Sequence, residues 1–144
     1  MSKNEIEILA RAVILHKEKI LVCKKIGNQN YFFPGGHVDF GECAKEALIR
    51  EIKEELGVSV KNCSFIGTSE QIFKSFNKWH HEINLVFQLI NGNIAAKSKE
   101  KHLQFFFFGK NDLAKTDVRP LSLKKAVLKW LNDGKLFWVS QIEK

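Results

Sequence analysis

The chain has 144 residues, 44% of them hydrophobic and 27% charged, which suits a single globular domain over residues 1–144 with a substantial core. A formal net charge of +7 favours polyanionic ligands without selecting among them. The three cysteines (Cys23, Cys43 and Cys63) show no metal-ligand spacing, and the opening MSKNEIEIL carries acids and lacks a long apolar run; both features argue against a secreted or membrane-spanning protein and for reduced thiols in the cytoplasm.

Ile6 to Leu15, rich in Ile, Val, Leu and Ala, predicts a strand. His16-Lys17-Glu18-Lys19 is a polar break, and Ile20 to Cys23 reads as the returning arm of a hairpin. Gly27 to Asn30 is a loop before a short aromatic strand, Tyr31 to Phe33. Pro34-Gly35-Gly36 predicts a tight turn, since glycine reaches positive φ and lets a ligand approach the backbone. A helix is expected from Glu42 to Leu56, opened by Gly41-Glu42 and stopped by Gly57. Cys63 to Phe73 predicts a strand, and Ile83, Leu85, Phe87 and Leu89 alternate along another, His80 to Ile90. Asn91-Gly92-Asn93 signals a turn, and the apolar run Leu103 to Phe108 predicts a buried central strand. Asn111-Asp112-Leu113 begins a further turn. Pro120 leads into a second helix whose apolar face is Leu123, Val127, Trp130 and Leu131, ended by Asn132-Asp133-Gly134. Leu136 to Val139 is too apolar for a free tail; it predicts a strand or a surface covering a partner, and, separately, a homodimer is compatible with the chain. This order implies an α+β architecture with a mixed sheet between helices.

The helix expected over Glu42 to Leu56 carries the chemistry. At about 3.6 residues per turn, Ala44, Ala47 and Leu48 form an apolar stripe. Glu51 and Glu55 continue that stripe, with Glu54 at its edge, where Leu or Ile would ordinarily stand. Clustered carboxylates repel each other and are costly to desolvate, and a multivalent cation reverses that penalty. Hard oxygen donors suit Mg²⁺ or Mn²⁺, and Mg²⁺ is typically held by few carboxylates together with substrate phosphates. Arg50 lies one turn after Glu46 and one turn before Glu54, placed to neutralise and orient the acids. Ile49, Ile52 and Leu56 point elsewhere, which predicts a helix packed on two sides.

Gly36, Glu42 and the run Arg50-Glu51-Ile52-Lys53-Glu54-Glu55-Leu56-Gly57-Val58, with the intervals between them, resemble a complete Nudix box. The likeness covers about a sixth of the chain, extended modestly by Phe33-Pro34 in front of it. It implies the α/β/α sandwich of the Nudix (MutT-like) hydrolases and cleavage of the phosphoanhydride in a nucleoside diphosphate linked to another moiety. Nucleoside triphosphates, ADP-ribose-like compounds and dinucleoside polyphosphates all fit that description. Carried over position by position, Glu51 and Glu55 resemble metal ligands, Glu54 a ligand or an assistant, and the Gly35 carbonyl the backbone ligand of the turn. Glu51 comes first as general base and Glu100, before the apolar strand, second; Glu100 is also a candidate metal ligand. Arg50 joins Glu51 and Glu54 in the catalytic group in an electrostatic role, and Glu42 braces the loop. The alternative is a non-catalytic Nudix-fold module that binds nucleotide or nucleic acid, against which the intact acids argue. A Nudix-fold isomerase of isoprenyl diphosphates would want extra His and Cys ligands, which are missing as a group.

Other residues read more plainly as structure. His80 and His81 are adjacent in a strand and point to opposite faces. His37 reads as an exposed loop residue, and Lys97, Lys99 and Lys101 as a solvated loop. Tyr31, Phe33, Phe73 and Trp79 read as core aromatics, and Arg119 is not counted as a phosphate contact.

Overall fold

A computed structural model describes residues 4–89 and 97–143. The expected turn at Asn91-Gly92-Asn93 and the last residue of its strand, Ile90, lie outside them. In chain order the elements are β1 (Ile6–His16), β2 (Lys19–Lys25), β3 (Gly35–His37), α1 (Ala44–Leu56) and β4 (Cys63–Ser75). They continue with β5 (Lys78–Leu89), β6 (Leu103–Phe108), α2 (Lys110–Lys115), α3 (Leu121–Asp133) and β7 (Phe137–Ile142).

β1 holds the architecture together. Its first part runs parallel to β5 from Ile6↔His81 to Ile14↔Leu89, and Leu9 to Arg11 pair antiparallel with β3 on the other side. Beyond that, a hairpin turn at Lys17 and Glu18, both with positive φ, returns the chain into β2. The seven strands form a mixed sheet in the order β6-β2-β1-β5-β4-β7, with β3 branching from β1. Because strand side chains alternate, the sheet feeds two cores. Ala10, Ala12, Ile14, Leu21, Cys23 and Phe87 pack with Leu48, Ile52 and Leu56 of α1. Val13, Ile20, Val22 and Val86 pack on the other face with Leu113, Leu123 and Val127 from the two later helices. The expected α/β/α layering is the observed one.

Several elements differ from the expectation for identifiable reasons. α1 begins at Ala44, because Glu42 is engaged in a turn: its N–H donates to the Asp39 carbonyl (3.0 Å) and its carboxylate accepts the Asp39 N–H (3.0 Å). Gly57, at φ 70°, ends the helix with its N–H on the Lys53 carbonyl. The helix does not pack on two sides; Ala44 and Ile49 join Leu48, Ile52 and Leu56 against a single core. Pro34-Gly35-Gly36 forms no tight turn. Gly35 and Gly36 lie in β3, where a Cβ on Gly35 would collide with the Ala10 carbonyl, so only glycine allows the two strands to meet. Tyr31 and Phe32 make isolated bridges to Val118 and Cys23 rather than a regular strand. β6 terminates the sheet instead of lying at its centre, yet it is covered on both faces: Leu103 and Phe105 enter the α1 core, Phe106 and Phe108 the opposite one. α2 takes the place of the turn expected near Asn111.

Of the thiols, Cys23 is buried, Cys63 half-buried and Cys43, at the N-cap of α1, exposed. Burial raises the pKa of Cys23 well above the ordinary thiol value.

Ile52 is fully buried between α1 and the sheet. Ile52→Ala removes side-chain atoms and leaves a cavity, and is expected to cost about 2–5 kcal/mol of unfolding free energy. Urea titration of both proteins measures it; a loss near zero would mean that α1 is not anchored there.

Candidate active site

Gly35 and Gly36 of β3, Glu51 and Glu55 of α1, and Glu100 before β6 line one cavity of ≈ 360 Å³, together with Leu9, Arg11, Lys25, Phe32, His37, His102 and Leu103. The folding of the box explains why. α1 packs its apolar stripe on the sheet, so the positions that extend the stripe point along the sheet toward β3. There the missing Cβ of Gly36 leaves room for Glu51: a Cβ would stand 2.6 Å from its carboxyl carbon. Glu100 arrives from the other side. The Lys99 N–H donates to the Glu55 carbonyl (2.7 Å), docking the loop on the end of α1. Ser98 Oγ then donates to the Glu100 carbonyl (2.6 Å) and accepts the Glu100 N–H (3.0 Å).

Arg50 organises the acids. Its Nε and Nη2 donate to the two oxygens of Glu42 (2.8 and 2.9 Å), Nη1 donates to Glu51 Oε1 (3.0 Å) and Nη2 to the His37 carbonyl (3.1 Å). Such a bidentate fork is geometrically specific. These bonds from Arg50, with the Asp39 N–H, hold the Glu42 carboxyl down at about 2, and they raise Arg50 above its ordinary value. Glu54 stands apart. Its side chain is 52% exposed, 3.6 Å from Arg50 Nη1, and does not line the cavity.

Glu55 is the anomaly. It is 5% exposed, its Oε2 has no hydrogen-bond partner among the described residues, and its pKa is pushed up to about 8. Burial is the main cause; the charge of Glu51 adds to it and that of Glu100 contributes, while Arg11 and the Gly35 N–H pull the other way. Among the described residues no three His, Cys, Asp or Glu side chains converge into a ready-made metal cage. The donors still fit a hard divalent cation: an orphaned buried carboxylate oxygen, two further carboxylates across the cavity, and a glycine backbone open to close approach.

Arg11, Lys25 and His102 are the cavity residues that the sequence reading missed. Arg11 donates to Asn84 Oδ1 (3.2 Å) and to the Phe33 carbonyl (3.1 Å), and burial lowers its pKa. An arginine inside an otherwise apolar strand was the available signal. His102 Nε2 lies 3.3 Å from Glu100, a pairing that local sequence does not reveal as functional. His37 sits in β3 rather than a loop and pairs with Glu7 at 3.0 Å. Phe33 is core, whereas Trp79 is 49% exposed. Arg119 pairs with Asp117 at 3.1 Å. A larger cleft of ≈ 780 Å³ at the β1–β2 turn contains no residue of the box.

The fold and this arrangement of acids define a Nudix hydrolase. The NUDIX domain model matches residues 7–131, and the chain belongs to that family. It is therefore an enzyme of the pyrophosphohydrolase class, acting on nucleoside diphosphate derivatives. The chain is 33% identical over 127 residues to an ADP-ribose pyrophosphatase of Methanocaldococcus jannaschii, covering 83% of this chain and 72% of that one. An RNA pyrophosphohydrolase of Ruthia magnifica is 32% identical over 65 residues, 44% of this chain and 36% of that one. Among solved structures, a MutT protein from Bacillus halodurans superposes with a TM-score of 0.73 at 20% identity, over 94% of this chain and 89% of that one. One from Methanosarcina mazei Go1 gives 0.72 at 20% identity, over 94% and 99%. At such identities these structures speak for the fold alone. No described helix is long and apolar enough to cross a membrane.

Two predictions follow from the geometry. At Gly36 the obstacle to a side chain is a flexible carboxylate, so Gly36→Ala should leave thermal stability near wild type while displacing Glu51. A misplaced catalytic group can cost about 10²-fold, and steady-state hydrolysis should fall by at least that. Gly35→Ala instead meets backbone at φ 139° and should lower the unfolding midpoint. The second prediction concerns pH. The folded-state pKa of Glu42 lies below its ordinary 4.5, so the Glu42–Arg50 bonds stabilise the chain above that value and lose their contribution as pH falls toward 2. Glu42→Gln should therefore be less stable than wild type at neutral pH, with the gap narrowing through that acid window in urea titrations; a pH-independent gap contradicts the assignment.

Proposed function

We propose that this protein is a divalent-metal-dependent pyrophosphohydrolase for nucleoside diphosphates linked to another moiety, with ADP-ribose-like compounds as the first substrates to test. The buried carboxylate of Glu55, its Oε2 without a partner among the described residues, carries the reading, because an acid so desolvated has little reason to occupy a helix's core stripe unless a cation meets it. Support for the substrate class comes from the Methanocaldococcus jannaschii relative, which aligns over most of this chain and is named an ADP-ribose pyrophosphatase.

Glu51, Glu55, Glu100 and the Gly35 carbonyl would hold Mg²⁺ or Mn²⁺, with Glu54, outside the cavity, left to assist. When bound, such an ion neutralises phosphate oxygens and lowers the pKa of water. Hydrolysis needs a water oxygen to form a bond to phosphorus, the bridging P–O bond to break, and the water proton to reach a base. Glu51 serves as that base: Arg50 fixes one of its oxygens and the Gly36 backbone leaves space for its carboxylate. Glu100 is the second choice for the same role. Arg50 positions Glu51 and screens its charge rather than touching the reacting atoms. Lys25 lines the cavity and offers a cation to an entering anionic diphosphate, beside His37 and His102, which pair with Glu7 and Glu100.

Chelation should abolish hydrolysis of ADP-ribose-like and other nucleoside diphosphate substrates, and Mg²⁺ or Mn²⁺ should restore it. Full turnover after verified metal removal would sink the mechanism. Glu51→Gln should lower the rate by at least about 10²-fold, the lower range for a general base. Folding should survive, and without metal the variant should be no less stable than wild type, because carboxylate repulsion is relieved. Lys53→Gln, on the exposed face of α1, is the control. Near-normal turnover by Glu51→Gln would move the role of base to Glu100.

A further inference from the structure

We propose that the chain forms a two-fold dimer in which the β7 strands of two copies pair antiparallel about Ser140, joining their sheets.

β7 terminates the sheet, parallel to β4, with no strand on its outer side among the described residues. It also lies beyond residue 131, where the match to the family model stops. Folded proteins commonly blunt such an edge with charge, proline or a bulge. The strand itself, Phe-Trp-Val-Ser-Gln-Ile, carries neither charge nor proline, and its pairing with β4 is unbroken over Gly67↔Phe137 to Ile72↔Ile142. An edge of this kind is a template for another strand.

The direction of the backbone says which residues would meet it. The N–H of Glu143 donates inward to the Ile72 carbonyl at 2.8 Å, and amide direction alternates along a strand. Phe137, Val139 and Gln141 therefore bond to β4, while the N–H and C=O groups of Trp138, Ser140 and Ile142 point outward. The same three residues share the sheet face on the α1 side. Phe137 packs into the opposite core, whereas Trp138 and Ile142 remain 63% and 57% exposed.

A second copy fits this edge better than an unrelated strand because β7 complements itself. Antiparallel pairing centred on Ser140 sets Trp138 of each copy against Ile142 of the other, an aromatic–aliphatic cross-strand pair made twice. The Glu143 carboxylate turns inward to accept the Lys74 N–H (3.2 Å), so it sets no like charge against its own copy across the apolar centre. The two-fold closes the assembly and leaves no further edge at β7.

The test is sedimentation equilibrium of the full chain, with hydrolase activity and thermal unfolding measured on every variant. Wild type should sediment at twice the 16.6 kDa chain mass. Ser140→Pro removes an outward N–H and the Ser140 Oγ bond to Glu70 (3.0 Å) while leaving the backbone ladder to β4 in place, and should give an active monomer. Trp138→Lys and Ile142→Glu should each raise the dimer dissociation constant at least about tenfold. An equimolar mixture of these two should associate again, since a mixed pair keeps one Trp138–Ile142 contact and gains one Lys–Glu contact. A monomeric wild type overturns the proposal, as does a folded Ser140→Pro that dimerises as tightly as wild type. Should Ser140→Pro unfold, the mixture decides: association no tighter than either single variant overturns it.

Discussion

The structure depends on how closely two backbones meet. At Gly35 and Gly36, β3 lies against β1 on one side and the Glu51 carboxylate on the other, and a Cβ at either position would strike what is already there. This contact fixes the height of β3 on the sheet. It thereby fixes the distance from the glycine backbone to α1, and so where three carboxylates can face a single cavity. The hydrophobic packing of α1 supplies the complementary constraint. Leu48, Ile52 and Leu56 lock the helix in rotation, leaving Glu51 and Glu55 no direction except along the sheet.

The cost of that arrangement is concentrated in one residue. Glu55 occupies a core position as an acid, with an oxygen that nothing among the described residues satisfies. Other acids of the chain are matched locally: Arg50 satisfies Glu42 twice, and Gln71 Nε2 donates to Glu82 at 2.6 Å. The contrast separates a brace, whose charges are internally matched, from a binding group, whose charge awaits a ligand.

Much of this was legible in the sequence, because periodicity and a glycine signature are local properties. The apolar stripe that turns acidic at Glu51 marks both the helix and its chemistry, and the Gly36-to-Val58 spacing marks the family. What local pattern does not carry is pairing between distant segments. Leu103 to Phe108 looks central because both of its faces are apolar; it is an edge strand whose faces two helical layers cover. Arg11 enters the cavity only because β1, β3 and β5 meet around it, and Glu100 only because Lys99 docks on the end of α1. The two glycines read as a turn because glycine is most often used that way, and only the Ala10 carbonyl shows that they were needed for contact.

The distribution of thiols has a practical corollary. Cys23 is enclosed and its ionisation suppressed, and burial also raises the pKa of the half-buried Cys63, while Cys43 stands exposed at the head of the box helix. A thiol-directed fluorophore will accordingly load at Cys43 first, without mutagenesis. It then sits one helical stretch from the carboxylates, where its emission can follow events at the site in real time.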